Sequence, residues 1–167
     1  LNLYLNLDTY YFSLIISLII SILFYKIKTL DKKPSIFEKI ITVFFGYILI
    51  PFVLSIPFYF SIYNLTFLNS FFEAISGFTS TGFTIFENVK QLDESLILWR
   101  STSQWIGGIY FLFSILLLID IFDKNLKHSF TEYLSFNYNE IFKQSLKIII
   151  IYSSLTLIIF IFFKTIN

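Results

Sequence analysis

Long apolar runs separated by short polar ones set the first expectation. Residues 10–25 carry no charge and are rich in Ile and Leu, and the same is true of residues 40–62. Two further runs, 104–122 and 145–163, carry one charge each (Asp120 and Lys147). A helix crossing a bilayer needs about 20 mostly apolar residues at a rise of about 1.5 Å each. The pattern therefore predicts an all-α integral membrane protein with spans near 10–27, 38–62, 95–122 and 144–163. The first is somewhat short, and Tyr10, Tyr11 and Lys26 are suited to anchor its ends at the interfaces. Pro51 and Pro57 fall inside the second, where a membrane helix can absorb them as kinks.

The stretch 66–86, TFLNSFFEAISGFTSTGFTIF, breaks this pattern. It is apolar on average, yet it carries Asn69, Glu73, many hydroxyls, Gly77 and Gly82. Its first part, 67–78, is amphipathic and only about three helical turns long. The hydroxyl- and glycine-bearing TSTGFT follows. A short helix leading into polar, irregular backbone predicts a re-entrant segment, because such backbone at membrane depth survives only where protein buries it or water lines it.

The distribution of basic residues agrees with re-entry. The loop after the first span holds Lys26, Lys28, Lys32, Lys33 and Lys39, and the region after residue 122 holds Lys124, Lys127, Lys143 and Lys147. With 66–86 re-entrant, these nine share one side against Lys90, Arg100 and Lys164 on the other; with 66–86 spanning, the split falls to eight against four. The rule places the lysine-rich side in the cytoplasm and the N-terminus and the re-entrant segment outside. Asp93 and Glu94 would then line an outer mouth.

Composition narrows the function. Of 167 residues 56% are hydrophobic and 14% charged, against about 25% charged in an average soluble domain. A net charge of +1, with the lysines spread over loops, gives no nucleic-acid footprint. There is no cysteine, so disulfides, thiolate metal sites and cysteine nucleophiles are excluded. No serine–histidine–acid set, phosphate-binding glycine loop or metal-spaced cluster is present, which argues against an enzyme. No covalently bound cofactor is expected. The chain has no methionine and begins Leu1-Asn2-Leu3. It reads as a portion of a longer protein.

The chemistry concentrates in residues 67–84. A potassium ion crossing a membrane must exchange its hydration shell for equivalent ligands, and rings of backbone carbonyls provide them. Such backbone is extended, built of small or hydroxyl residues, with glycine where φ is unusual. A short helix whose C-terminus faces the ion adds about half a negative charge. Residues 67–78 followed by Thr79-Ser80-Thr81-Gly82-Phe83-Thr84 meet these demands. The carbonyls of Ser80, Thr81, Gly82 and Phe83 are the predicted ligands, with their side chains turned away to pack. Glu73 is either a cation site or a group packed behind the segment with a hydrogen-bonding partner, since an unpaired buried carboxylate is costly. Arg100 either snorkels to the interface or pairs with Glu73, Asp93 or Glu94. Trp99 and Trp105 are placed at the outer interface. Gly107 and Gly108 are expected to allow close helix packing against the short helix. Asp120 and Asp123 read as cap or interface charges, and His128 as a loop residue.

Ser76–Thr84, SGFTSTGFT, with FFEA just before it and WRSTSQWIGG at Trp99–Gly108, resembles the first pore repeat of the Trk/Ktr/HKT superfamily of potassium-uptake proteins, the TrkH and KtrB subunits in particular. Residues 36–60 resemble that repeat's first helix, and the run before it the extra N-terminal helical pair of TrkH-type proteins, lacking its first member. The resemblance implies four span–pore–span repeats around one pore, subunits paired as homodimers, and a cytosolic nucleotide-binding regulatory subunit of the TrkA or KtrA kind. Gly82 then aligns with the first glycine of the potassium-channel filter, and Thr84 replaces the second. Three regions follow: residues 1–30 as an N-terminal transmembrane helix, 31–122 as one complete repeat, and 123–167 as a cytoplasmic loop and the first helix of a truncated second repeat. The implied function is potassium uptake across the cytoplasmic membrane, with sodium the alternative ion and one of four filter loops supplied here. A non-conducting structural fragment and a tetrameric potassium-channel subunit are the alternatives.

Overall fold

The computed structural model describes residues 7–26, 35–89, 92–122 and 138–166. Most of the lysine-bearing loop positions, with Asp123 and His128, lie outside the described residues. Among the described residues there are six α-helices and no strand: α1 (Leu7–Lys26), α2 (Ile36–Leu54), α3 (Ile56–Tyr59), α4 (Phe67–Phe78), α5 (Glu94–Phe122) and α6 (Tyr138–Ile166). Among the described residues three stretches are long and apolar enough to cross a membrane: Ile36–Tyr59, Glu94–Leu118 and Ser145–Ile166. The apolar part of α1, Asp8–Leu23, is shorter. Four spans were predicted; three of them coincide with these stretches, and the first coincides with α1, a 20-residue helix.

The chain divides into two compact units, Leu1–Gly108 and Ile109–Asn167, with the division inside α5. In the first unit, α2 starts at a reciprocal cap. The Glu38 N–H donates to Ser35 Oγ at 3.2 Å, and the Ser35 N–H donates to the Glu38 carboxylate at 2.6 Å. This satisfies donors that a helix start otherwise leaves bare. α2 accommodates Pro51 and then breaks at Ser55, where Pro57 has no N–H to give the preceding turn. The Leu54 carbonyl at the break accepts from Trp99 Nε1 at 3.0 Å, tying α2 to α5.

α4 starts at Thr66, whose hydroxyl accepts from the Asn69 N–H at 3.3 Å. Its buried face carries Ser70, Glu73, Ala74 and Gly77 at helical spacing, with Ser76 and Phe78 beside them. Phe67, Leu68 and Phe72 are exposed. The helix thus turns Ser70, Glu73 and Ser76 inward and several of its large apolar groups outward, unlike a surface helix in water. It packs on α2 and α3, with edge-to-face contacts Tyr47–Phe78 and Phe52–Phe67 at 5.7 and 5.8 Å between ring centroids. α1 packs on the same two helices, and its Tyr10 ring meets Trp99 edge-on at 5.4 Å.

In the second unit, Ser145–Ile166 of α6 buries none of its most apolar stretch against protein. Ser153 and Ser154 there bond the carbonyls of Ile149 and Ile151 on their own helix, so α6 presents lipid-compatible surface.

Candidate functional site

Of the eight residues after α4, the last four, Phe83–Phe86, turn on a network centred on Glu73. Its Oε1 accepts from Thr84 Oγ1 at 2.7 Å and from the Ile85 N–H at 2.6 Å. Its Oε2 is ion-paired with Arg100 Nη1. Arg100 Nη2 then donates to the Phe83 carbonyl at 2.8 Å. Glu73 is fully buried and Arg100 nearly so. A buried carboxylate and guanidinium are tolerable together because each satisfies the other and the remaining lone pairs and donors find partners. One ion pair, from residues 27 apart, therefore fixes three consecutive residues of the segment, Phe83, Thr84 and Ile85. Of the three carboxylates that could have met Arg100, Glu73 does.

The other half of the segment faces the opposite way. The N–H of Ser80 donates to the Gly77 carbonyl at 3.0 Å and that of Thr81 to the Ser76 carbonyl at 3.1 Å. In a planar trans peptide the preceding carbonyl points opposite to the N–H. The Thr79 and Ser80 carbonyls are therefore directed away from α4. Among the described residues, the carbonyls of Thr79, Ser80, Thr81 and Gly82 accept no hydrogen bond, and all four residues are exposed. Ser80 and Gly82 have positive φ, 56° and 78°, while Thr81 and Phe83 do not. Alternating hand along a backbone gathers N–H groups on one side, which leaves carbonyls on the other. Holding a serine in the left-handed region costs about 1–3 kcal/mol, and such strain persists only where the surroundings enforce it. Here the two N–H bonds to α4 do so.

Phe83 differs from its predicted placement. Its carbonyl was expected among the outward ligands but accepts from Ser76 Oγ at 2.5 Å as well as from Arg100. A carbonyl has two lone pairs, so these donors occupy it. The Phe83 ring, expected to pack, is 69% exposed.

Close backbone contact sets the position of the whole segment. A Cβ on Gly107 would lie 1.7 Å from the Phe78 carbonyl oxygen, which no packing adjustment of side chains relieves. A Cβ on Gly77 would come into ordinary contact with Ser103 and the Arg100 backbone. The end of α4 is thereby seated directly on α5 through Gly77, Phe78, Ser103 and Gly107. Gly108, paired with Gly107 in the sequence reading, is half-buried. The sequence reading passed over Ser76 and Ser103. Ser70, Ser76 and Gly77 repeat at helical spacing around Glu73, and that small-polar stripe was the available signal.

Among the described residues no group of His, Cys, Asp or Glu is arranged to hold a metal ion. The available ligands are backbone oxygens, which suit hard monovalent cations rather than transition metals.

The cation transport protein family TrkH matches residues 10–166. The chain is 32% identical over 110 residues to the uncharacterized cation transporter MJ1485 of Methanocaldococcus jannaschii, covering 65% of this chain and 23% of that protein. It is 40% identical over 60 residues to the Trk system potassium uptake protein TrkI of Halomonas elongata, covering 36% of this chain and 11% of that one. It is 41% identical over 46 residues to the Trk system potassium uptake protein TrkG of Escherichia coli, covering 28% and 10%. The chain thus spans a quarter or less of the length of these relatives. No solved structure matches it. The family is one of transporters rather than enzymes, and its match runs through every helix described above: this chain belongs to the TrkH family of cation transport proteins.

Proposed function

We propose that the chain forms part of the pore of a potassium-uptake protein, with α2–α3, α4 and α5 as one span–pore helix–span repeat and residues 79–84 as one of four filter loops. The observation that carries this reading is the row of unbonded carbonyls on Thr79, Ser80, Thr81 and Gly82. It follows a short helix whose C-terminal end carries partial negative charge toward the same place. Such a row can replace a cation's hydration shell, provided other loops complete the ring. Phe83 and Thr84 belong to the filter as its anchors, and Glu73, Arg100, Gly107 and Gly108 as its support. The transported ion is potassium, with sodium the competitor.

One loop cannot encircle an ion, so the remaining repeats belong to the rest of a longer chain. The TrkG and TrkI relatives are named as Trk system potassium uptake proteins. By analogy we assign the assembled protein to the cytoplasmic membrane, as a homodimer with a cytosolic nucleotide-binding subunit of the TrkA or KtrA kind. The lysine distribution supports an outer N-terminus and an outer filter. Residues 1–30, 31–122 and 123–167 then form the leading helix, the first repeat, and the loop and first helix of the second. The test is growth rescue: the full-length parent, made in a bacterium lacking potassium uptake, restores growth at low potassium. Absence of rescue at normal membrane expression would overturn the proposal.

A further inference from the structure

We infer that Ser76 is a selectivity-determining positioning residue: with Arg100 it holds the Phe83 carbonyl out of the ion path, so this loop ligates cations through Thr79 to Gly82 alone. The inference rests on the filter reading above and specifies which oxygens act.

The geometry runs through one proton. Thr81 Oγ1 donates to Ser76 Oγ at 3.3 Å, so the Ser76 hydroxyl is already an acceptor on that side. Its single proton goes to the Phe83 carbonyl at 2.5 Å. Arg100 Nη2 supplies the second, charge-assisted bond to that oxygen at 2.8 Å. Ser76 is 2% exposed, so bulk water does not compete for its hydroxyl. The exposed Thr79 Oγ1 lies 3.3 Å from Thr81 Oγ1, so a hydroxyl chain Thr79–Thr81–Ser76 joins the outward face of the loop to the Phe83 carbonyl.

The consequence is a missing ligand. The oxygen next in line after Gly82 is turned toward α4 and α5, and the ion site at that level receives one fewer carbonyl from this repeat. Discrimination between potassium and sodium depends on the number and field strength of coordinating carbonyls. Withdrawal of one oxygen weakens it. Ser76 does not touch the ion; it acts by fixing the direction of the Phe83–Thr84 peptide.

The test uses the full-length parent. Anomalous scattering from crystals in rubidium locates the ions. Rubidium beside the Thr79–Gly82 carbonyls with none touching the Phe83 oxygen supports the inference. Rubidium seated on the Phe83 oxygen overturns it while leaving the filter reading intact. Rubidium absent from the whole segment overturns both. In uptake assays with potassium and sodium in competition, Ser76→Ala raises the potassium-to-sodium ratio by roughly threefold or more, the effect of about one net hydrogen bond on the carbonyl's orientation. An unchanged ratio, or one shifted toward sodium, in a variant that reaches the membrane and transports contradicts the inference. The wild-type rubidium measurement decides the matter without depending on the variant's folding.

Discussion

Residues 67–86 and Ser145–Ile166 are of similar length, and both carry several phenylalanines, yet they are built on different principles. In Ser145–Ile166 the order comes from apolar surface alone: its hydroxyls bond its own helix and none of its most apolar stretch is buried by protein. In 67–86 Phe67, Leu68, Phe72 and Phe83 face outward and much of the order comes from polar and backbone contacts: Glu73 to Arg100, Thr84 and Ile85, Ser76 to Phe83, and the Phe78 backbone to Gly107. A membrane segment specified by hydropathy tolerates any apolar residue. One specified by a buried polar network tolerates few changes, because each member satisfies another.

The largest difference is expected at the ion pair. Glu73→Ala leaves the Arg100 guanidinium buried without its counter-charge and is expected to cost about 3–5 kcal/mol. Thermal unfolding of the detergent-solubilised full-length protein measures it. The double variant Glu73→Met with Arg100→Leu sharpens the point. It removes both charges and should regain much of the stability, but ion selectivity is lost because Thr84 and Ile85 no longer have their anchor on Glu73. Recovery of both properties would show that the pair serves stability alone.

Gly107→Ala comes next. The new methyl must push the Phe78 backbone aside, an overpacking expected to cost about 1–3 kcal/mol, toward the upper end because backbone yields less than side chain. The same melting assay reads it, with a loss of selectivity alongside. Thr84→Val removes one donor to Glu73 and an acceptor for the Phe86 N–H. About 1 kcal/mol is expected, with a measurable fall in potassium preference. Ile158→Leu in α6, at an exposed apolar position, is expected to change stability by less than about 0.5 kcal/mol. A cost there equal to that of Thr84→Val would erase the contrast between the two segments.

Much of this arrangement was legible in the residues. The α4 boundaries follow from Thr66 as a cap and from the amphipathic run that ends before Thr79. That a buried Glu73 must find a hydrogen-bonding partner follows from the cost of a lone carboxylate in an apolar setting. What local pattern could not supply is the choice of partner. Arg100 had three carboxylates within reach of its helix start, and only the seating of Gly77 and Phe78 on α5, at Ser103 and Gly107, brings Glu73 to it. Ser80 has positive φ, a conformation a serine seldom adopts, so no local signal pointed to it. The direction of the Phe83 carbonyl was misread for the same reason: it is decided by Ser76 and Arg100, seven residues and 17 residues away.

The central claim is that the backbone shape of the Thr79–Gly82 row selects the ion. Gly82 offers the cleanest access to it. Its φ is 78° and a Cβ there would meet nothing within 4 Å, so Gly82→Ala alters backbone preference without a clash. Potassium and sodium uptake by this variant of the full-length protein, at matched membrane expression, is the direct measurement. The account predicts a collapse of the potassium-to-sodium preference. A preference equal to that of the unmodified protein would contradict it.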